Sequence, residues 1–182
     1  MAQKEITLSG VGGQGMILCG TLIAQAAVNH DHKFATLSSE YGTETRGTFA
    51  KSDVIVNDEA IDFPDVTDAD FVVCLHQVAY ERYSGKLPAK ALLLYDTEMV
   101  KPHPENSARE RGLAIEKMAR ELGNPATANI ITMGIITGYL QVITQEGAEA
   151  AIAGFFKKKG DKVIALNLKA FAKGYELGEQ LK

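Results

Sequence analysis

Two rhythms of apolar and polar positions divide the chain. In the first half, short β-type runs alternate with a longer helical stretch. Residues 5–9 make the first run. Met16–Asn29, rich in Leu, Ile, Met and Ala and free of Pro, predicts a helix, and residues 34–38 predict a second strand. Phe-Val-Val-Cys-Leu at 71–75 and Ala-Leu-Leu-Leu-Tyr at 91–95 are unbroken apolar runs, the pattern of strands covered on both faces in a parallel sheet. Residues 47–57 read differently. Lys51, Ser52 and Asp53 split them into β pieces at 48–51 and 54–57, either one bent strand or a hairpin.

The second half turns helical. Ile115, Met118, Ala119 and Leu122 fall at i, i+3, i+4 and i+7, and Gly123 with Pro125 ends that helix. Residues 129–142 are an almost wholly apolar helix, expected to bury at a domain or subunit contact. Residues 148–156 predict another, stopped by Lys157-Lys158-Lys159-Gly160. Ile164, Leu168, Phe171 and Tyr175 mark one face of a last helix. These C-terminal helices are expected to pack on the sheet edge. The pattern predicts a single α/β domain over 1–182. It is a Rossmann-like, doubly wound, mostly parallel sheet in 1–97 with extra C-terminal helices completing it in 98–182.

Length and charge narrow the classes. A chain of 182 residues is the size of one domain, and its net charge of −4 disfavours a basic nucleic-acid module. Cys19 and Cys74 each sit in an apolar run with no second Cys or His at ligand spacing. They read as buried, reduced thiols of a cytoplasmic protein. No secretory leader is expected, since Lys4 and Glu5 are followed by few apolar residues before Gly10. The apolar stretch 130–143 is broken by Thr132, Gly134, Thr137, Gly138 and Gln141, short of the ~18 apolar residues of a membrane span.

The sharpest local feature is Gly10-Val11-Gly12-Gly13-Gln14-Gly15, which satisfies G-x-G-x-x-G between a strand and a helix. Glycines allow close backbone approach, and the first helical turn offers N–H groups to an anion: a pyrophosphate, a phosphate or a carboxylate. A tight turn needing glycine for packing alone is the other reading. NAD-type binding wants an acidic residue about 20 residues on, at the end of the second strand. Asp31 precedes that strand, and Glu40 serves only if the strand runs longer than 34–38. A second feature, Glu40-Tyr41-Gly42-Thr43-Glu44-Thr45-Arg46-Gly47, follows the second strand at the carboxyl end of the sheet. Arg46 there could clamp an anion, and Glu44 could pair with it. No nucleophile elbow or P-loop is present. His30-Asp31-His32 reads as a solvated turn, and Lys157, Lys158 and Lys159 as a solvated helix end.

In this order and spacing the two features resemble the gamma subunit of 2-oxoacid:ferredoxin (acceptor) oxidoreductases. The likeness continues through Ile61-Asp62-Phe63-Pro64, residues 70–75, residues 129–134 and Asn167…Phe171…Gly174-Tyr175. Thr43 stands where the family often has Pro, and Thr48 where it has a second Gly. The resemblance implies oxidative decarboxylation of a 2-oxoacid to an acyl-CoA, with electrons passed to ferredoxin. It implies thiamine diphosphate, magnesium and iron–sulfur clusters on partner alpha and beta subunits and a ferredoxin-like delta subunit. This chain has neither a cysteine cluster nor the Gly-Asp-Gly…Asn diphosphate–metal motif. It would then be inactive alone and would line the coenzyme A cleft. The N–H groups of Gly12, Gly13 and Gln14, with Gly10, Gly15 and Arg46, would face coenzyme A, while Tyr41 and Glu44 shape that wall.

Three alternatives stay open: a stand-alone NAD- or flavin-binding oxidoreductase, a pure assembly subunit, and the small subunit of an indolepyruvate-type enzyme. The residues do not choose the 2-oxoacid, with a lean to 2-oxoglutarate by general resemblance. The isolated chain is expected to self-associate through helix 129–142 or partner-facing surfaces.

Overall fold

The computed structural model describes residues 2–42 and 47–182. β1 (Lys4–Val11) leads into α1 (Met16–Asn29), followed by β2 (Phe34–Tyr41), β3 (Phe49–Asn57), β4 (Phe71–Cys74), α2 (Gln77–Tyr83) and β5 (Leu92–Asp96). A 3-10 turn then leads to β6 (Glu110–Leu113) and α3 (Ile115–Glu121). The helices α4 (Ala128–Leu140), α5 (Gln145–Phe156) and α6 (Asp161–Gln180) complete the chain. The sheet order is β2-β3-β1-β4-β5-β6. β1, β4, β5 and β6 are parallel, while β3 runs antiparallel to both β1 and β2. The α/β, mostly parallel character is as the apolar pattern indicates. The inserted antiparallel strand is not.

Residues 47–57 thus resolve into one strand from Phe49 onward, and the polar centre of that strand has a local explanation. Lys51 and Asp53 point to the same face. The Asp53 carboxylate accepts from Thr7 Oγ1 at 2.7 Å and from Lys51 Nζ at 2.9 Å. A charged group that supplies its own partner need not break a strand. Ser52 points to the other face, under α1, where Gly20 makes room: a Cβ at Gly20 would collide with Ser52 Oγ. That hydroxyl is buried and has no hydrogen-bond partner among the described residues. Ser52→Ala is therefore expected to stabilise the protein by about 1 kcal/mol. A urea midpoint shifted upward at unchanged slope would register it.

The sheet's alternation sorts two cores. Ile6, Leu8, Val54, Val56, Phe71, Val73, Leu92 and Leu94 point to one side, where α1, α4, α5 and α6 bury them. Phe49, Val72, Cys74 and Leu93 point to the other and pack with Ala79 and Tyr80 of α2. The C-terminal helices therefore cover a face of the sheet, a correction to the expected edge packing. They go there because parallel β4 and β5 present apolar residues to both sides, and β1 adds Ile6 and Leu8 on this one.

The apolar helix is corrected in the same way. α4 carries a buried run from Ala128 to Gly138 and is enclosed within the chain by α6 and α1, so no subunit contact is needed to hide it. Its contact with α6 is made by four glycines. A Cβ at Gly134 would stand 2.7 Å from Tyr175 N and 2.9 Å from Gly174 Cα. One at Gly174 would stand 2.8 Å from Ile131 C, and one at Gly178 2.9 Å from Ile135 C. Gly138 likewise has no room for a side chain beside Tyr175 O. Spacing of four residues on each helix puts these glycines on one stripe, so the two backbones touch. Asp31, in the turn read as solvated, accepts from Thr144 N at 2.6 Å and from Thr144 Oγ1, tying the end of α1 to the start of α5.

Candidate functional site

The glycine loop links the end of central β1 to α1, on the carboxyl side of the parallel strands, where open α/β sheets present their ligand crevices. Gly13 (φ 103°) and Gly15 (φ 74°) both hold left-handed conformations that L side chains rarely adopt. Gly15 also lies against Asn129 of α4, whose Nδ2 donates to Gly15 O at 3.4 Å. Gln14 acts as a strut. Its Oε1 accepts from Val11 N at 2.9 Å, and its Nε2 donates to Leu75 O at 2.9 Å and to Glu116 Oε1 at 3.3 Å. One side chain thus joins the loop to the end of β4 and to the first turn of α3. A Cβ at Gly10 would strike that amide.

The loop's amides are less free than the motif suggests. Gly12 N donates to Thr48 O at 2.9 Å and Gln14 N to Val11 O at 3.1 Å. The set able to face an anion narrows from Gly12, Gly13 and Gln14 to Gly13 and the first-turn amides of α1. Gly47 N reaches back to Gly12 O at 3.5 Å, so the second motif ends beside the first. Tyr41 closes edge strand β2, two-thirds exposed at 68%. Thr43, Glu44, Thr45 and Arg46 lie outside the described residues, and with them the proposed guanidinium clamp.

Beside Gly13 and Gly15 a cavity of about 600 Å³ opens between α1, α3, α4 and α6. Asn124, Asn129, Asn167, Glu116, Phe156 and Lys159 line it. None of these was identified from the sequence as a site residue. The available signal was a lone Asn at 129 and at 167 inside otherwise apolar helical faces. Burial pushes the Glu116 carboxyl above its ordinary range. Gln14's donor pulls it down, and the Asp96 charge pushes it up again. A carboxyl held above its unfolded value favours the fold while protonated and opposes it once ionised. Glu116→Gln should therefore stabilise the protein at neutral pH, and the gain should vanish below the ordinary glutamate value of 4.5. Thermal melts of both proteins across that interval test the sign.

Burial raises the thiol of Cys74 to about 12 and drives that of Cys19 upward too, so neither is a thiolate at neutral pH. Among the described residues no three His, Cys, Asp or Glu side chains converge as a metal site. These residues do not fit an iron–sulfur cluster or a diphosphate-bound magnesium. No helix is long and apolar enough to cross a membrane. Glu40 does fall within β2, but β3 separates that strand from β1. Glu40 instead lies 3.7 Å from Lys51 Nζ. The geometry departs from the NAD fingerprint, which needs the acidic strand next to the glycine-loop strand.

Comparison with known proteins gives a consistent picture. Residues 5–177 match the family model described as pyruvate ferredoxin/flavodoxin oxidoreductase. The 2-oxoglutarate synthase subunit KorC of Methanocaldococcus jannaschii is 37% identical over 182 residues, covering 98% of this chain and 96% of the relative. The crystal structure of a keto/oxoacid ferredoxin oxidoreductase gamma subunit from Geobacter sulfurreducens PCA superposes with a TM-score of 0.84. It is 33% identical, with 99% of this chain and 98% of that one covered. The 2-oxoglutarate:ferredoxin oxidoreductase of Magnetococcus marinus, solved with 2-oxoglutarate, coenzyme A and succinyl-CoA bound, shares the fold. Its TM-score is 0.88 at 23% identity, over 99% of this chain and 32% of that one. The chain belongs to the pyruvate ferredoxin/flavodoxin oxidoreductase family, as a gamma-type subunit of the 2-oxoacid:ferredoxin oxidoreductases.

Proposed function

We propose that this subunit serves a 2-oxoglutarate:ferredoxin oxidoreductase and forms the wall of its coenzyme A cleft. Coenzyme A takes the acyl group left by decarboxylation, and the electrons leave to ferredoxin. Thiamine diphosphate, held with magnesium on alpha and beta partners, supplies the carbon–carbon cleavage chemistry. Iron–sulfur clusters on those partners and on a delta subunit carry the electrons. The observation that carries the reading is the cavity beside Gly13 and Gly15, bounded by the N-termini of α1 and α4 at the carboxyl edge of the parallel strands. Helix N-termini orient N–H groups and a favourable dipole towards a phosphate. In this reading Arg46 would offer its guanidinium to the phosphates, and Tyr41 and Glu44 would contribute to the partner-facing wall.

Reconstitution with the thiamine-binding partners tests this. Turnover that requires this chain, 2-oxoglutarate and coenzyme A together supports it, and turnover with another 2-oxoacid alone replaces the substrate. Within that complex, Arg46→Ala should raise the KM for coenzyme A about tenfold, the size of one charge-assisted hydrogen bond. An unchanged KM with normal assembly removes Arg46 from the site. A specific observation favours a second reading, a subunit for assembly alone: two of the three loop amides are already bonded inside the chain. Under that reading, Gly13→Ala would leave the kinetics of the assembled complex untouched.

A further inference from the structure

Asn129 is 5% exposed and lines the cavity beside the glycine loop. Its Nδ2 donates to Gly15 O, which fixes the orientation of the amide, because the flipped form would set two oxygens against each other. Its Oδ1 is then left as a buried acceptor with no donor among the described residues. Buried polar atoms are nearly always paired, and an orphan of this kind points to a group supplied from outside the chain. The neighbouring groups say which kind. Glu116 lines the same cavity and is linked to the loop through Gln14. Gly12 and Gln14 have given their N–H groups to internal carbonyls. The wall formed by Asn129 and Glu116 therefore offers acceptors and carries a carboxylate. Lys159, on the turn after α5, brings the positive charge.

We propose that the wall of this cavity formed by Asn129 and Glu116 recognises a neutral N–H donor of the ligand, an amide or an amino group, through Asn129 Oδ1. The ligand's phosphates face Lys159 and the helix amides instead. The inference rests on the coenzyme A reading and deepens it. Coenzyme A offers that chemistry at two places, the amides of its pantetheine arm and the amino group of its adenine. A carboxylate beside a phosphate would repel it, whereas an amide N–H meets Glu116 and Asn129 without charge conflict.

The reconstituted complex tests this with pantetheine and ADP as competitors of coenzyme A. Asn129→Leu, which removes the acceptor, should raise the KM for coenzyme A about tenfold and leave the KM for 2-oxoglutarate unchanged. If the variant weakens competition by pantetheine alone, the donor is an amide. If it weakens competition by ADP alone, the donor is the adenine amine. Glu116→Gln should strengthen competition by ADP, since the repelling charge is gone. Should the leucine variant fail to assemble, a crystal structure of the unaltered complex with coenzyme A answers directly. A ligand nitrogen within hydrogen-bond distance of Asn129 Oδ1 supports the proposal, and a water there overturns it. If turnover depends on coenzyme A but its KM is unmoved in Asn129→Leu, this inference falls and the functional reading stands. If turnover ignores coenzyme A, both fall.

Discussion

Gly134→Val is expected to be among the most destabilising single substitutions in the chain. The added side chain would enter the contact between α4 and α6 against Tyr175 N and Gly174 Cα, and those are backbone atoms that cannot rotate away. Overpacking a core that can adjust costs about 1–3 kcal/mol. Here the helices themselves must separate, so a loss above about 4 kcal/mol is expected, a large share of a domain's typical 5–15. Helix propensity works the other way, because replacing an interior glycine by alanine gains about 1 kcal/mol. Gly154 of α5 isolates that term, since a Cβ there meets nothing within 4 Å. Gly154→Ala should stabilise the protein by about that amount, while Gly134→Ala destabilises it despite the same propensity gain. Urea denaturation of the three variants checks both signs, and a stable Gly134→Val would mean that the helices do not approach so closely.

Asp96→Ala should cost about 3–5 kcal/mol. Asp96, at the end of β5, is fully buried, and its carboxylate accepts three backbone N–H groups: Glu98 at 2.8 Å, Met99 at 3.0 Å and Glu116 at 2.8 Å. Hydrogen bonds to a charged acceptor are worth about 1.5–3 kcal/mol each, and removing the acceptor also strands the donors. The three do not add fully, because they share one group. Asp96→Asn keeps one carbonyl oxygen for Glu98 and Met99 and turns an NH2 towards Glu116 N, so about half the loss is expected. The consequence reaches the site. Glu116 lies in the first turn of α3 and holds the Gln14 strut, so α3 released from β5 should loosen the glycine loop as well as the fold. Amide exchange of residues 10–15, faster in Asp96→Asn than in the unaltered protein, would show the link.

Local signals account for the elements that were legible. The helix read at Met16–Asn29 has those same bounds, because its composition and the glycine before it act within a few residues. The helix marked by Ile115, Met118, Ala119 and Leu122 ends where Gly123 and Pro125 require. The position of β3 was not legible. Lys51, Ser52 and Asp53 look like a break until Thr7, 46 residues away in sequence, is known to bond Asp53. Nor do the glycines at 134, 138, 174 and 178 show locally which helix face each stripe will meet.

The candidate site divides along the same line. The glycine loop could be found from its own spacing, because the positive φ at Gly13 and Gly15 is a property of single residues. Its chemistry could not. Thr48 O takes the Gly12 amide, Gln14 turns inward to Leu75 and Glu116, and Asn129 arrives from a helix 114 positions later. Sequence alone determined the order and type of most elements and the loop, since these rest on backbone preference and apolar periodicity, and it indicated the family through the likeness of its motif residues. The tertiary structure decided which strand stands beside β1, which helix covers α4 and which loop amides stay open. Those depend on pairings between distant segments, where each polar group takes the partner that the packed fold brings to it.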